Sequence, residues 1–134
     1  MIYTPQQIEQ FAINAGFRNE DVRIAIGVAH GESSFDDSEY NPEEAWFADH
    51  GIPLADGEGS IGLWQIFSYL HKDKFPGWNL RDPQVNACAA NVLFRSGGWN
   101  QWASYKFNSP QYQKGLAIAD SLHPVVVSDP ELGT

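Results

Sequence analysis

The amino-acid sequence predicts a mainly α fold, a single compact helical domain with a long loop after its most apolar helix. Three pairs of a capping residue and a proline mark helix starts: Thr4-Pro5, Asp82-Pro83 and Ser109-Pro110. Apolar residues at helical spacing follow each pair. No convincing pair of strand-like segments accompanies them, so we expect helices to form the core.

Length and composition favour one globular domain. The chain has 134 residues, of which 43% are hydrophobic and 13% aromatic, enough for a substantial core. We assign residues 1–124 to this domain and residues 125–134 to the start of a linker or tail, because the latter contain Asp129-Pro130 and Gly133. The net charge of −9 argues against nucleic acid as a partner, since phosphate binding requires a basic face.

The sequence lacks the features of a membrane-spanning segment, a signal peptide and a metal site. No apolar run is long enough for a membrane span, and the first residues lack the pattern of a signal peptide. If the domain acts outside a cell, we therefore expect something else to deliver it. Cys88 lies in an apolar run and is expected to be a core residue. We expect no cofactor and no metal, because neither the acidic residues nor the histidines have ligand spacing.

The first two helices are predicted from their ends. Thr4 and Gly16 bound the first helix, and Asn19 is the start signal of the second. The second helix contains the apolar stretch Ile24–Ala29 and ends near Glu32. A glutamate at the end of so apolar a helix is either a solvated end residue or a placed acid.

The rest of the chain is predicted as a loop followed by further helices. Residues 36–59 are rich in Gly, Pro, Asp and Glu and are expected to form a loop, which at this length is more often functional than idle. Ser60 is expected to cap a short apolar segment over residues 61–67. A helix from Asp82 to Gly97, a near-helical aromatic segment over residues 99–105 and a last helix over residues 109–122 follow.

Three segments resemble one family. Gly31-Glu32-Ser33-Ser34-Phe35 resembles the E-S-x-F signature of the soluble lytic transglycosylase and goose-type lysozyme superfamily. Residues 59–66 resemble its G-L-(M/W)-Q motif, and residues 86–105 are similar to the later helix and Trp-rich turn of phage-borne and actinobacterial members. The resemblance covers roughly residues 15–120. It implies a lysozyme-like fold and cleavage of the MurNAc–GlcNAc bond of peptidoglycan.

The resemblance also implies roles for individual residues. Glu32 would donate a proton to the bridging oxygen and then accept the proton of the sugar's own 6-hydroxyl, which gives a 1,6-anhydro product. Such a donor must stay protonated near neutral pH, and this requires apolar surroundings. Tyr105 would orient Glu32. The substrate-binding residues would be Ser60, Gln65, Tyr105, Trp64 and Ser33.

Other functions stay open from the sequence. A hydrolytic lysozyme of the same fold would need a second carboxylate, for which the candidates are Asp49, Asp56, Glu58 and Asp73. Chitinase-like hydrolysis and a catalytically silent wall-binding or structural module are further alternatives. The expected partner is the peptidoglycan glycan strand. Because the chain is acidic and the cell wall is anionic, we expect tethering in a larger multidomain lysin or virion protein that acts on the wall from outside the cell.

Overall fold

Six α-helices and a small antiparallel sheet make up residues 1–124, the part of the chain that the structure, a computed structural model, describes. The elements are α1 (Pro5–Ala15), α2 (Glu20–Ser33), β1 (Tyr40–Asn41), α3 (Glu44–Asp49), β2 (Ser60–Ile61), β3 (Ile66–Phe67), α4 (Pro83–Gly97), a 3₁₀ turn (Trp99–Gln101), α5 (Ala103–Lys106) and α6 (Pro110–Leu122). The mainly α prediction is confirmed. The predicted linker, residues 125–134, lies outside the described residues.

The predicted helix caps are present. Each of the three cap side chains accepts a hydrogen bond from the backbone N–H three residues ahead: Gln7 to Thr4 at 3.2 Å, Val85 to Asp82 at 3.0 Å and Tyr112 to Ser109 at 3.1 Å. The fourth predicted start, Asn19, precedes α2, but its side chain makes no capping hydrogen bond. Capping side chains and the fixed φ of proline therefore account for three of the helix starts.

The predictions for residues 36–67 were partly wrong. The expected loop contains β1 and α3, and Ser60 lies in β2 instead of capping a helix. The sheet has the order β1-β2-β3, with Asn41 paired to Ser60 and Ser60 paired to Phe67. Strands of two residues are too short to show an alternating pattern, which explains why the sequence did not reveal them.

Helix α2 lies at the centre of the domain. Its apolar stretch is almost fully buried, with Ala25, Val28 and Ala29 at 0% exposure. It packs closely on α6, where a Cβ atom added at Gly115 would lie 2.7 Å from the Cα of Gly27. This close approach fixes the direction of α2, and with it the position of the residues at its C-terminal end.

A buried asparagine joins the sheet to the helices. Asn86 of α4 has 0% exposure, and its Nδ2 donates to the carbonyls of Ile61 and Leu80, each at 2.8 Å. Its Oδ1 accepts a hydrogen bond from the backbone N–H of Trp64, also at 2.8 Å. All three partners are backbone groups, so one side chain holds the β2–β3 turn against α4.

None of the helices within residues 1–124 is both long and apolar enough to span a lipid bilayer.

Candidate active site

A cleft of about 230 Å³ lies between the helices and the small sheet. We call this space the cleft. The residues that line it from the helical part are Glu32, Leu93, Gln101, Trp102 and Ala103. Those that line it from the sheet and its neighbouring segments are Glu43, Ser60, Gln65, Ile66, Phe67, Leu70 and His71. The cleft therefore combines apolar walls with a few hydrogen-bonding groups, as small-molecule and oligosaccharide sites generally do.

Glu32 lies in the wall of the cleft, one residue before the end of α2. Its side chain is half-buried, and Oε2 accepts a hydrogen bond from the backbone N–H of Ser104 at 3.2 Å. The close contact depends on Gly31, since a Cβ atom there would lie 2.6 Å from the Cβ of Ser104. The absence of a side chain at residue 31 thus allows α5 to reach the carboxylate and hold one of its oxygens.

Tyr105 was expected to orient Glu32, but in the structure the hydrogen bond to the Glu32 carboxylate comes from Ser104, and the role of Tyr105 stays a prediction. Its ring packs against Tyr112, with the ring centroids 5.6 Å apart, and Tyr105 does not line the cleft. Ser104, the preceding residue, contacts Glu32 through its backbone N–H. Neighbouring residues of a helix point in different directions, so the contact and the tyrosine side chain are separated. A backbone donor carries no signal in the sequence.

Two other residues expected to bind substrate are core residues. Ser33 is buried, and its Oγ donates to the carbonyl of Ala29 at 2.9 Å. Trp64 has 0% exposure, and its Nε1 donates to the carbonyl of Ala25 at 3.0 Å. Neither lines the cleft. Ser33 follows Glu32 and Trp64 precedes Gln65 in the sequence, and both Glu32 and Gln65 line the cleft. The side chains of Ser33 and Trp64 nevertheless point into the core.

Ser60 and Gln65, which were predicted to bind substrate, both line the cleft. The Nε2 of Gln65 donates to the carbonyls of Glu39 at 3.0 Å and Gly62 at 2.9 Å. Both amide protons are therefore engaged, and the Oε1 atom remains available as an acceptor for a sugar hydroxyl or an acetamide N–H. Substrate binding by these residues stays a prediction.

Glu43 is a cleft residue that the sequence analysis missed. Its Oε1 accepts a hydrogen bond from the Oγ of Ser60 at 2.9 Å, and its backbone N–H donates to Oδ1 of Asn41 at 2.9 Å. Its backbone is left-handed, with φ 55° and ψ 42°, which is uncommon for a residue other than Gly, Asn or Asp. The turn signal Asn41-Pro42 immediately before it was the available clue.

The carboxylates considered from the sequence lie elsewhere. Asp56 and Glu58 line two other cavities, and the Oγ of Ser68 donates to the carboxylate of Glu58. Asp49 and Asp73 are exposed and do not line the cleft. Within residues 1–124, Glu32 and Glu43 are thus the carboxylates that line this cleft.

His71 is the other titratable side chain lining the cleft. Burial lowers the pKa of His71 below its ordinary value of 6.5, and the positive charge of Lys74 lowers it further. The imidazole is therefore neutral at neutral pH and offers the cleft a hydrogen-bonding group without a charge. Among residues 1–124, no three or more His, Cys, Asp or Glu side chains are grouped as metal ligands.

Tryptophan rings can stack on sugar rings, and Trp102 lines the cleft, but it is only 5% exposed. Its Nε1 donates to the carbonyl of Trp64 at 2.8 Å, so it is mainly a core residue. Trp99 is also buried. Trp46 stacks on His50, and Trp78 lines other cavities. Phe67, which is half-buried, also lines the cleft.

Comparison with known protein families gives one match that covers most of the chain. Residues 9–104 match the model of a family described as a lysozyme-like domain. The matched segment contains the carboxylates Glu32 and Glu43 as well as Ser60 and Gln65. No curated protein and no solved structure gave a match to the chain.

Proposed function

Because the chain belongs to the lysozyme-like domain family, we propose that it cleaves the β-1,4 bond between MurNAc and GlcNAc in peptidoglycan, with Glu32 as the general acid. The observation that carries this proposal is the position of Glu32 in the cleft, with one carboxylate oxygen held by the backbone N–H of Ser104. A proton donor must be held within hydrogen-bonding reach of the leaving oxygen, and a fixed carboxylate meets this requirement.

The contacts of Glu32 support a role as a proton donor. Ile66, Leu93 and Trp102 provide apolar lining beside it, and among residues 1–124 no lysine or arginine lines the cleft to pair with its carboxyl group. The backbone N–H occupies Oε2, which leaves Oε1 of Glu32 to carry the proton toward the bridging oxygen of the glycan.

Two acceptors compete for the glycosyl group after the bond breaks. The sugar's own 6-hydroxyl is the acceptor that the resemblance implies, and the domain would then be a lytic transglycosylase. This route needs no second carboxylate, because the attacking group is already held next to the reacting carbon. Water is the second candidate, and the presence of Glu43 in the cleft specifically favours it.

A substrate comparison tests the proposed cleavage. Purified peptidoglycan and chitin oligomers are incubated with the domain, and soluble products are identified by mass spectrometry. We expect disaccharide muropeptides from peptidoglycan and no cleavage of chitin. Binding to the wall without release of muropeptides would indicate a silent module instead, and cleavage of chitin alone would indicate a chitinase-like enzyme.

We further propose that the domain acts on the wall from outside the cell as part of a larger lysin or virion protein. The net charge of −9 supports this proposal, since an acidic domain gains no long-range attraction to an anionic wall. Tethering supplies the effective concentration instead. The isolated domain should therefore bind purified walls weakly at physiological salt, and tight binding in a sedimentation assay would contradict the tethering argument.

A further inference from the structure

We infer that Glu43 and Ser60 form a pair that activates a water molecule in the cleft, so that the domain hydrolyses the glycan strand. This inference rests on the proposed function, because Glu32 remains the acid that protonates the leaving oxygen. It adds a general base, Glu43, and a residue that positions it, Ser60. The resemblance implies neither of these roles.

The fold holds the pair in place from two directions. The β1–β2 pairing sets Asn41 opposite Ser60, and Oδ1 of Asn41 accepts the backbone N–H of Glu43 at 2.9 Å. Ser60 is only 7% exposed, and its Oγ donates to Oε1 of Glu43 at 2.9 Å. The side chain and the backbone of Glu43 are thus both anchored to the sheet. An uncommon left-handed backbone at such a point is typical of functional positions.

The remaining hydrogen-bonding capacity of the pair suits a water molecule. A serine hydroxyl has one proton, and here that proton is donated to Oε1 of Glu43. The lone pairs of Ser60 Oγ and the Oε2 atom of Glu43 remain as acceptors. Two acceptors side by side can receive the two protons of one water, which leaves the water's oxygen lone pair for attack. No such arrangement is needed when the sugar's own hydroxyl is the attacking group.

The reaction balances with these groups alone. Glu32 gives its proton to the bridging oxygen, and the bond between that oxygen and the anomeric carbon of MurNAc breaks. The water oxygen bonds to the anomeric carbon, and one water proton passes to the carboxylate of Glu43. Solvent then takes the proton from Glu43 and returns one to Glu32, so the net change is the addition of one water. A carboxylic acid with a separate carboxylate base is the arrangement of inverting glycosidases.

The first test identifies the product and the source of its oxygen. Purified peptidoglycan is digested by the wild-type domain in ¹⁸O-labelled water, and the muropeptides are analysed by mass spectrometry. We expect reducing-end MurNAc that carries ¹⁸O. Anhydro-muropeptides without the label, lighter by one water, would overturn this inference and leave the proposed cleavage by Glu32 intact.

The second test uses variants of the pair. Glu43→Gln should lower the rate by about 100-fold or more, because general base catalysis typically contributes that much. Glu44→Gln is the matched control, since this neighbour is exposed and does not line the cleft, and it should keep the wild-type rate. Ser60→Ala should lower the rate less than Glu43→Gln does. Ser60→Thr retains the hydroxyl and should therefore have a higher rate than Ser60→Ala, close to that of the wild type. Equal rates for Glu43→Gln and wild type would overturn the inference.

Azide separates a catalytic role from a structural one. Azide attacks without needing to lose a proton, so added azide should restore turnover of Glu43→Ala and give a glycosyl azide. A variant that had merely lost its fold would not respond. Failure of azide to restore a Glu43→Ala variant that has the wild-type circular dichroism spectrum would count against the base. Full activity of Glu32→Gln would instead overturn both the inference and the proposed function.

Discussion

Replacing Asn86 with alanine tests how the cleft is held together. The substitution removes three buried hydrogen bonds, each at 2.8 Å, to the backbone groups of Ile61, Trp64 and Leu80. A hydrogen bond contributes about 0.5–1.5 kcal/mol net, and a buried group left without a partner costs about 1–3 kcal/mol. We therefore expect the free energy of unfolding to fall by about 3–5 kcal/mol, a large share of the roughly 5–15 kcal/mol typical of a domain.

Asn91→Ala provides a matched control on the same helix. Asn91 is also buried, but its Nδ2 makes a single hydrogen bond, to the carbonyl of Ala15 at 2.9 Å. Its loss should cost about 1–2 kcal/mol. Urea unfolding followed by circular dichroism measures both variants, and an unchanged m-value shows that the unfolded state is the same. If Asn86→Ala loses no more stability than Asn91→Ala, the central role of Asn86 is refuted.

Two further predictions concern the cleft. Gly31→Ala places a Cβ atom 2.6 Å from the Cβ of Ser104, so α5 must shift and its hydrogen bond to Glu32 must weaken. We therefore expect the free energy of unfolding to fall by about 1–3 kcal/mol and kcat for wall lysis to decrease. A Gly31→Ala variant with the wild-type kcat would contradict this. His71 has a pKa lowered from 6.5 by burial and then by Lys74, so its contribution to stability is present above pH 6.5 and is lost as pH falls through the lowered value. His71→Asn should therefore lose less thermal stability than wild type between about pH 7 and about pH 5, and parallel losses would show that His71 is not responsible.

The helices could be predicted because their signals are local. Thr4, Asp82 and Ser109 cap helices through side chains that reach only three residues ahead, and the following proline fixes the backbone. The sheet could not be predicted, because each strand has only two residues and β1 pairs with a strand about 20 residues further along the chain. The pairing of Asn41 with Ser60 depends on where α3 and the loops return the chain.

Some of the residues that line the cleft could be predicted because they lie in short local motifs. Glu32, Ser60 and Gln65 line it, and all three lie in motifs that can be recognised by their residues. Trp64 lies next to Gln65 in the same motif, yet it points into the core, because neighbouring residues of this turn face different sides. Glu43 belongs to no such motif, and its place in the cleft arises from a turn and one hydrogen bond to Ser60.

The rate of wall lysis by Glu32→Gln tests the central claim most directly. Glutamine is nearly isosteric with glutamate and can still accept the N–H of Ser104, but it cannot donate the proton that the leaving oxygen needs. We expect the rate to fall by about 10²–10⁴-fold while the thermal midpoint stays at or above the wild-type value. Asp49→Asn, which neutralises an exposed carboxylate outside the cleft, should keep the wild-type rate. A Glu32→Gln variant that lyses purified walls as fast as the wild-type domain would contradict the account.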